Sequence, residues 1–123
     1  MRGIIQGQRV LVVEDEVLIA LELSDSLVGA GAEVIGPAAT VRTALRMIEH
    51  DFPTAAILDV SLDTEDSVLI AQRLTEIGIP FIFHTGNFAG RSAPSDWPHV
   101  PVVRKPAPME IVLDTLADAI HDS

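Results

Sequence analysis

The sequence predicts an α/β domain built on a parallel sheet with helices on both faces. Three observations predict it: short β-branched apolar runs recur along the chain, stretches with helical apolar spacing lie between them, and polar groups gather at the ends of the runs rather than within them. Strands that alternate with helices run parallel, joined by right-handed crossovers. The 123 residues suffice for one compact domain, 1–123, with no room for a second.

Each element has its own signal. Residues 9–13 form a β-branched run closed by Glu14, Asp15 and Glu16, which reads as a central strand. Over 16–30 the spacing turns helical, with Leu18, Leu21 and Val28 expected on the apolar face and Glu22, Asp25 and Ser26 on the polar one; Gly29 and Gly31 end it. A brief strand at 33–35 stops at Gly36-Pro37. Thr40 then serves as an N-cap, followed by Val41, Ala44, Leu45 and Ile48 at i, i+3, i+4 and i+7. The third strand, 54–59, enters through Asp51-Phe52-Pro53 and ends on Asp59. Asp63 or Thr64 is expected to cap a third helix that turns Ile70, Ala71, Leu74 and Ile77 inward and stops at Gly78. Residues 80–84 make a fourth strand ahead of Thr85-Gly86. The stretch 87–99 holds Gly90, Pro94 and Pro98 without an apolar repeat, and is expected to be a loop with at most one helical turn. A fifth strand at 100–103 runs into Arg104-Lys105-Pro106. Residues 108–120 close the chain as a helix with Met109, Val112, Leu113, Leu116 and Ile120 on one face.

Composition narrows the functions. Eight Lys and Arg against eighteen Asp and Glu leave a net charge of −10, a field that repels nucleic acid phosphates. Cysteine is absent, which removes disulfides, thiolate zinc sites and cysteine nucleophiles together. No apolar run reaches the roughly 18 residues of a membrane span, and no basic-then-apolar leader is present, so the chain reads as soluble and cytoplasmic. A start at Met1 and an end just past an amphipathic helix favour a free-standing domain over a piece of a longer protein.

The polar groups converge. In a parallel sheet all C-terminal strand ends lie on one side, where ligands bind. Burying a bare carboxylate inside a sheet costs several kcal/mol, so Asp59 belongs at that solvent-facing edge. The turns after strands one, three, four and five bring Glu14, Asp15, Asp59, Thr85 and Lys105 to it. Three packed carboxylates repel one another unless a hard cation sits among them, and Mg²⁺ suits such a set because it binds through one or two carboxylates and shares its other positions with phosphate. Lys105 adds a positive point charge and Thr85 a hydroxyl, both matched to phosphoryl oxygens. Asp59 is then placed as a nucleophile toward an activated phosphorus. Taken singly, Asp59 reads as a helix cap, Glu14 and Asp15 as first-turn acids that match a helix dipole, and Lys105 as a surface lysine; their convergence favours the site. Asp63, Glu65 and Asp66 are read as acids opening the third helix, not as a second metal site. His84 is read as an edge or packing residue, and Trp97 as a plug over the sheet.

Val12-Val13-Glu14-Asp15-Glu16, Ile57-Leu58-Asp59, His84-Thr85-Gly86 and Arg104-Lys105-Pro106, in this order, resemble the receiver domain of two-component response regulators over essentially the whole chain. The resemblance implies a flavodoxin-like, doubly wound sheet of five parallel strands in the order 2-1-3-4-5, and a cis Lys105-Pro106 bond. It implies Asp59 as phosphoacceptor, Asp15 as a direct Mg²⁺ ligand, Glu14 as a ligand directly or through water, and the Ser61 carbonyl as a further ligand, with Thr85 and Lys105 holding the phosphoryl group. The donor it implies is a phosphohistidine on a sensor histidine kinase or a histidine phosphotransfer protein, and the output a change in affinity for a downstream protein target. Such a domain catalyses only its own phosphorylation and dephosphorylation.

The chain departs from the family at three places. Val102 stands where receivers usually carry an aromatic switch residue, and the proline-broken stretch 87–99 predicts a fourth helix that is short or absent. The segment Phe83-His84-Thr85-Gly86-Asn87-Phe88 resembles the motif Phe-Ala-Thr-Gly-any-Tyr of a subfamily of short stress-signalling receivers, with His84 and Phe88 as substitutions. Two other functions are weighed. A pseudo-receiver working by constitutive protein contact has no need of the full set of acids, Thr and Lys. An aspartyl-phosphate hydrolase resembling the haloacid dehalogenases wants Asp-x-Asp after the first strand, and Val17 stands two residues beyond Asp15.

Overall fold

The apolar runs pair as parallel strands because each has both faces to bury. In the computed structural model, which describes residues 2–62, 65–86 and 97–123, β1 (Arg9–Val13), β2 (Glu33–Ala38), β3 (Ala55–Leu58), β6 (Phe81–Thr85) and β7 (Val102–Arg104) form one sheet in the order β2-β1-β3-β6-β7. Every pairing is parallel. Counted along this sheet, the order is the expected 2-1-3-4-5. Alternation along the strands sorts the core into two layers. Leu11, Val13, Ala56, Leu58, Phe81 and Phe83 meet α2 (Val41–Asp51) and α3 (Val68–Ile77). On the other face, Val10, Val12, Ala55, Ile57, Ile82 and Val103 meet α1 (Val17–Gly29) and α4 (Met109–His121).

Local chemistry fixes the element ends. Thr40 caps α2 by accepting from the Thr43 N–H at 3.1 Å, as expected. Gly78 ends α3 in the left-handed conformation at φ 76°, which glycine adopts without penalty. Gly36 lies at φ +95°, and a Cβ there would stand 2.7 Å from the Ala38 N and 3.0 Å from the Val12 carbonyl oxygen. Only glycine lets β2 lie this close to β1, where the register shifts between Leu11 and Val13. The Gly36–Pro37 and Lys105–Pro106 bonds are both cis.

Several sequence expectations change, among them the second strand, which runs through Gly36-Pro37 to Ala38 instead of stopping at 35. The first helix buries Ala20, Leu23 and Leu27, whereas Leu18, Leu21 and Val28 are 78, 53 and 62 % exposed. The physical reason is that this segment is apolar on two sides, so its periodicity does not fix which side meets the sheet. The third helix opens only at Val68, with Ser67 at its N-cap, because Glu65–Asp66 (β5) pairs with Ser61–Leu62 (β4) in an antiparallel hairpin. Glu65 and Asp66 are therefore strand residues, and the expected caps Asp63 and Thr64 lie outside the described residues. Ile77, at the end of α3, is 42 % exposed rather than inward. The N-terminal segment also has structure of its own, a 3-10 turn at Arg2–Ile5 whose Ile5 is fully buried beside α4.

The segment for the short or absent fourth helix lies, over 87–96, outside the described residues. Trp97, beyond it, is partly buried against the α2/α3 layer, with its ring 6.5 Å from that of Phe83 in an edge-on arrangement. Its role as a plug over the sheet is what the sequence predicts.

Candidate functional site

The site grows from four strand ends. β1 delivers Glu14 and Asp15: the Glu14 N–H donates to the Ala38 carbonyl at 2.9 Å, so the ladder with β2 holds the chain up to the first acid. β3 delivers Asp59, whose N–H donates to the Val13 carbonyl at 3.0 Å. The two strands therefore present their acids side by side. β6 delivers Thr85, whose carbonyl accepts from the Lys105 N–H at 3.1 Å, which fixes the backbone of the lysine beyond β7.

The side chains converge as the sequence predicts. One carboxylate oxygen from each of Glu14, Asp15 and Asp59 lies within 4.8 Å of the others. Lys105 Nζ stands 2.8 Å from Glu14 Oε1, 3.3 Å from Asp59 Oδ2 and 3.5 Å from Glu16 Oε1. Glu16 is a partner that the sequence reading did not assign, although the run of three acids was the available signal. Glu14 and Asp59 are buried, and Asp15 is half-buried.

Among the described residues, Lys105 is the cation shown in contact with this group of carboxylates, and the electrostatics follow from that. Burial pushes the Glu14 carboxyl up to about 7, with the Asp59 charge adding to the rise and the Lys105 hydrogen bond opposing it. Burial also works against the Lys105 charge, but its contacts with Glu14 and Asp59 outweigh this and hold its pKa above the ordinary lysine value. An all-oxygen donor set with more negative charge than Lys105 neutralises fits a hard divalent cation such as Mg²⁺.

Among the described residues, two polar atoms at the end of β6 are buried without a hydrogen-bond partner, Thr85 Oγ1 and His84 Nδ1. An orphaned buried hydroxyl costs about 1–3 kcal/mol until an acceptor or donor reaches it, so the Thr85 hydroxyl is open to a polar group that enters beside it. His84 is buried, and the packing half of its sequence reading holds rather than the edge half. Burial lowers its pKa, as does the neighbouring Lys105 charge, while Asp59 and Glu16 pull it upward. Val102, at the position of the usual aromatic switch, is an exposed residue of β7. Ser61 opens β4 two residues beyond Asp59.

A five-stranded parallel sheet of this order, with acids, a threonine and a lysine at one edge, defines the flavodoxin-like fold of receiver domains. The structural neighbours are response regulator receiver domains. The receiver domain of the response regulator PhyR from Erythrobacter litoralis is 28 % identical at a TM-score of 0.80, covering 94 % of this chain and 92 % of that one. The response regulator PhyR from Brucella abortus is 26 % identical at a TM-score of 0.79, covering 98 % of this chain and 51 % of that one. Among curated proteins, the transcriptional regulatory protein PdtaR of Mycobacterium tuberculosis is 33 % identical over 67 residues, or 54 % of this chain. That match spans 33 % of PdtaR, a third of the relative's length. No protein-family model matches the chain. No helix among the described residues is long and apolar enough to cross a membrane.

Proposed function

We propose that this chain is a phosphoacceptor receiver domain that takes a phosphoryl group on Asp59 and thereby changes its affinity for a protein partner. The observation that carries the reading is the convergence of Glu14, Asp15, Asp59 and Lys105 at one sheet edge beside the Thr85 hydroxyl, which has no partner among the described residues. An Asp59 carboxylate oxygen attacks the phosphorus of a phosphohistidine, a P–O bond forms as the P–N bond breaks, and the leaving imidazole takes up a proton. Lys105 moves its charge from Glu14 and Asp59 to the phosphoryl oxygens, and Thr85 donates its hydroxyl to one of them. Glu14, Asp15, Asp59 and the Ser61 carbonyl would hold Mg²⁺, which would supply positive charge against the transferring group.

A sensor histidine kinase or histidine phosphotransfer protein in the cytoplasm is the donor in this reading. What supports a protein donor is the outer face of α1, where Val17 and Leu18 are exposed next to the acids of the site and Leu21 and Val28 continue the apolar stripe along the helix. Their flank is acidic through Glu16, Glu22 and Asp25, and α1 carries no Lys or Arg, which suits an apolar helix with basic edges. The short stress-signalling subfamily is the finer reading; one structural neighbour, 26 % identical, is the PhyR stress response regulator.

The test is intact mass after incubation with acetyl phosphate, with Mg²⁺ and then with a chelator. A Mg²⁺-dependent gain of about 80 Da, one phosphoryl group, that disappears in Asp59→Asn is the expected result. A gain that persists in Asp59→Asn moves the acceptor elsewhere. No gain from acetyl phosphate or from any phosphohistidine donor leaves the constitutive pseudo-receiver in its place.

A further inference from the structure

His84 is 2 % exposed, stands in one row with the carboxylates of the site, and has no role in the chemistry above. The row follows from the strand register. Val13 pairs with Leu58 and Leu58 with Phe83, so one residue further on Glu14, Asp59 and His84 lie side by side on neighbouring strands. Val12, Ile57, Ile82 and Val103 belong to the α1/α4 layer, and alternation turns the residues two positions beyond them, Glu14, Asp59, His84 and Lys105, to that same face. To reach its partners, Lys105 has to cross His84. It follows β7, and β6 lies between β7 and β3. Its Nζ nevertheless stands 3.3 Å from Asp59 Oδ2 and 2.8 Å from Glu14 Oε1, one strand further still, so its side chain spans β6 on the face to which His84 turns.

The ring senses the site. Burial and then the Lys105 charge lower its pKa against the pull of Asp59 and Glu16, which keeps the imidazole neutral at physiological pH. A neutral imidazole carries one acceptor nitrogen. Nδ1 is buried and has no partner among the described residues, a state that costs free energy until a donor reaches it.

We propose that His84 is a positioning residue for Lys105, its Nδ1 accepting a hydrogen bond from the ammonium as phosphoryl transfer to Asp59 draws Lys105 away from Glu14. The inference rests on the phosphoacceptor reading. Oxygens of Glu14, Asp59 and Glu16 surround the ammonium before transfer. Turning toward the phosphoryl group gives up the nearest of them, Glu14 Oε1. A neutral ring along the path of the side chain replaces that acceptor without placing another negative charge beside the phosphoryl oxygens, and it holds the ammonium on the transferring group.

The rate of phosphoryl uptake from acetyl phosphate with Mg²⁺, followed by intact mass, tests the inference. His84→Leu fills the space without an acceptor and is expected to slow uptake about tenfold, the equivalent of one hydrogen bond to a charged group. His84→Asn keeps a polar atom where Nδ1 stands and restores most of the parent rate, whereas His84→Gln, whose amide falls where Nε2 stands, does not. In Lys105→Ala, His84→Leu has no further effect, because no ammonium is left to hold. A ring that served packing alone would slow uptake by the same factor in both backgrounds. The parent rate in His84→Leu, equal slowing by His84→Asn and His84→Leu, or the same factor in Lys105→Ala overturns the inference and leaves the phosphoacceptor reading in place. A parent chain that takes up no phosphoryl group from any donor overturns that reading, and the inference with it.

Discussion

Helices α1 and α2 cover opposite faces of the same sheet, and they divide their apolar residues in opposite ways. In α2, Val41, Ala44 and Ile48 are buried and the outward side is polar, so its apolar residues end in the core. In α1, Ala20, Leu23 and Leu27 do the same work, and Val17, Leu18, Leu21 and Val28 remain outside. One helix spends its apolar surface on the fold. The other keeps a second stripe that starts next to the carboxylates at Val17, which under the proposed function is the side a delivering protein approaches. The difference teaches that surplus apolar surface, beyond what a helix needs to dock on its sheet, is where to look for a partner.

The largest expected contrast is between these two kinds of apolar residue. Ile48→Ala opens space in the α2/α3 layer and should destabilise by about 2–5 kcal/mol, whereas Leu18→Ala should stay within about 0.5 kcal/mol. Urea denaturation of both variants measures this. Under the proposed function, Leu18→Ala also slows phosphoryl uptake from a protein donor while uptake from acetyl phosphate is unchanged. Equal destabilisation by the two variants would erase the distinction between the helices.

The same contrast explains what could be read from the sequence. The α2 face was legible because Arg42, Arg46 and Glu49 leave only one side apolar. The α1 face was not, since Leu, Ile, Val and Ala occupy two sides and periodicity selects neither. The strand order and the grouping of Glu14, Asp15, Asp59 and Lys105 were legible because strand ends of a parallel sheet lie on one side whatever the details of packing. The β4–β5 hairpin was not, since Ser61–Leu62 and Glu65–Asp66 are too short to show alternation. The Arg2–Ile5 turn was hidden for the same reason, and only the burial of Ile5 against the α4 layer reveals it.

A smaller contrast lies at the helix starts. Thr40 makes a side-chain cap on α2, and Thr40→Ala should lower stability by about 1 kcal/mol. Glu16, at the same position on α1, makes no such bond and instead points toward Lys105 at 3.5 Å. Glu16→Ala should therefore change stability by no more than about 0.5 kcal/mol. Thermal unfolding of the two variants side by side reads the difference, and an equal loss would mean that α1 is capped by Glu16 after all.

The smallest effect separates the two layers by their polar content. Ile82, two residues before His84 on β6, belongs to the α1/α4 layer, so alternation turns His84 to that side, where burial lowers its pKa from 6.5. The unfolded chain then takes up a proton near 6.5 that the native protein resists, so stability is lost as pH falls below that value. The loss is at most about 0.8 kcal/mol at about pH 6, reached if the native ring binds no proton at all. Glu14 works in the opposite sense. Its carboxyl, pushed from 4.5 up to about 7, holds a proton in the native state that the unfolded chain releases, so its contribution to stability falls as pH rises across that window. The two terms separate in the difference between the parent and His84→Leu. Urea unfolding at several pH values should give a stability difference that shifts toward the variant as pH drops below 6.5 and stays flat above it. A difference that is flat throughout would mean that the imidazole titrates equally in both states and that its burial is relieved by a partner within the α1/α4 layer.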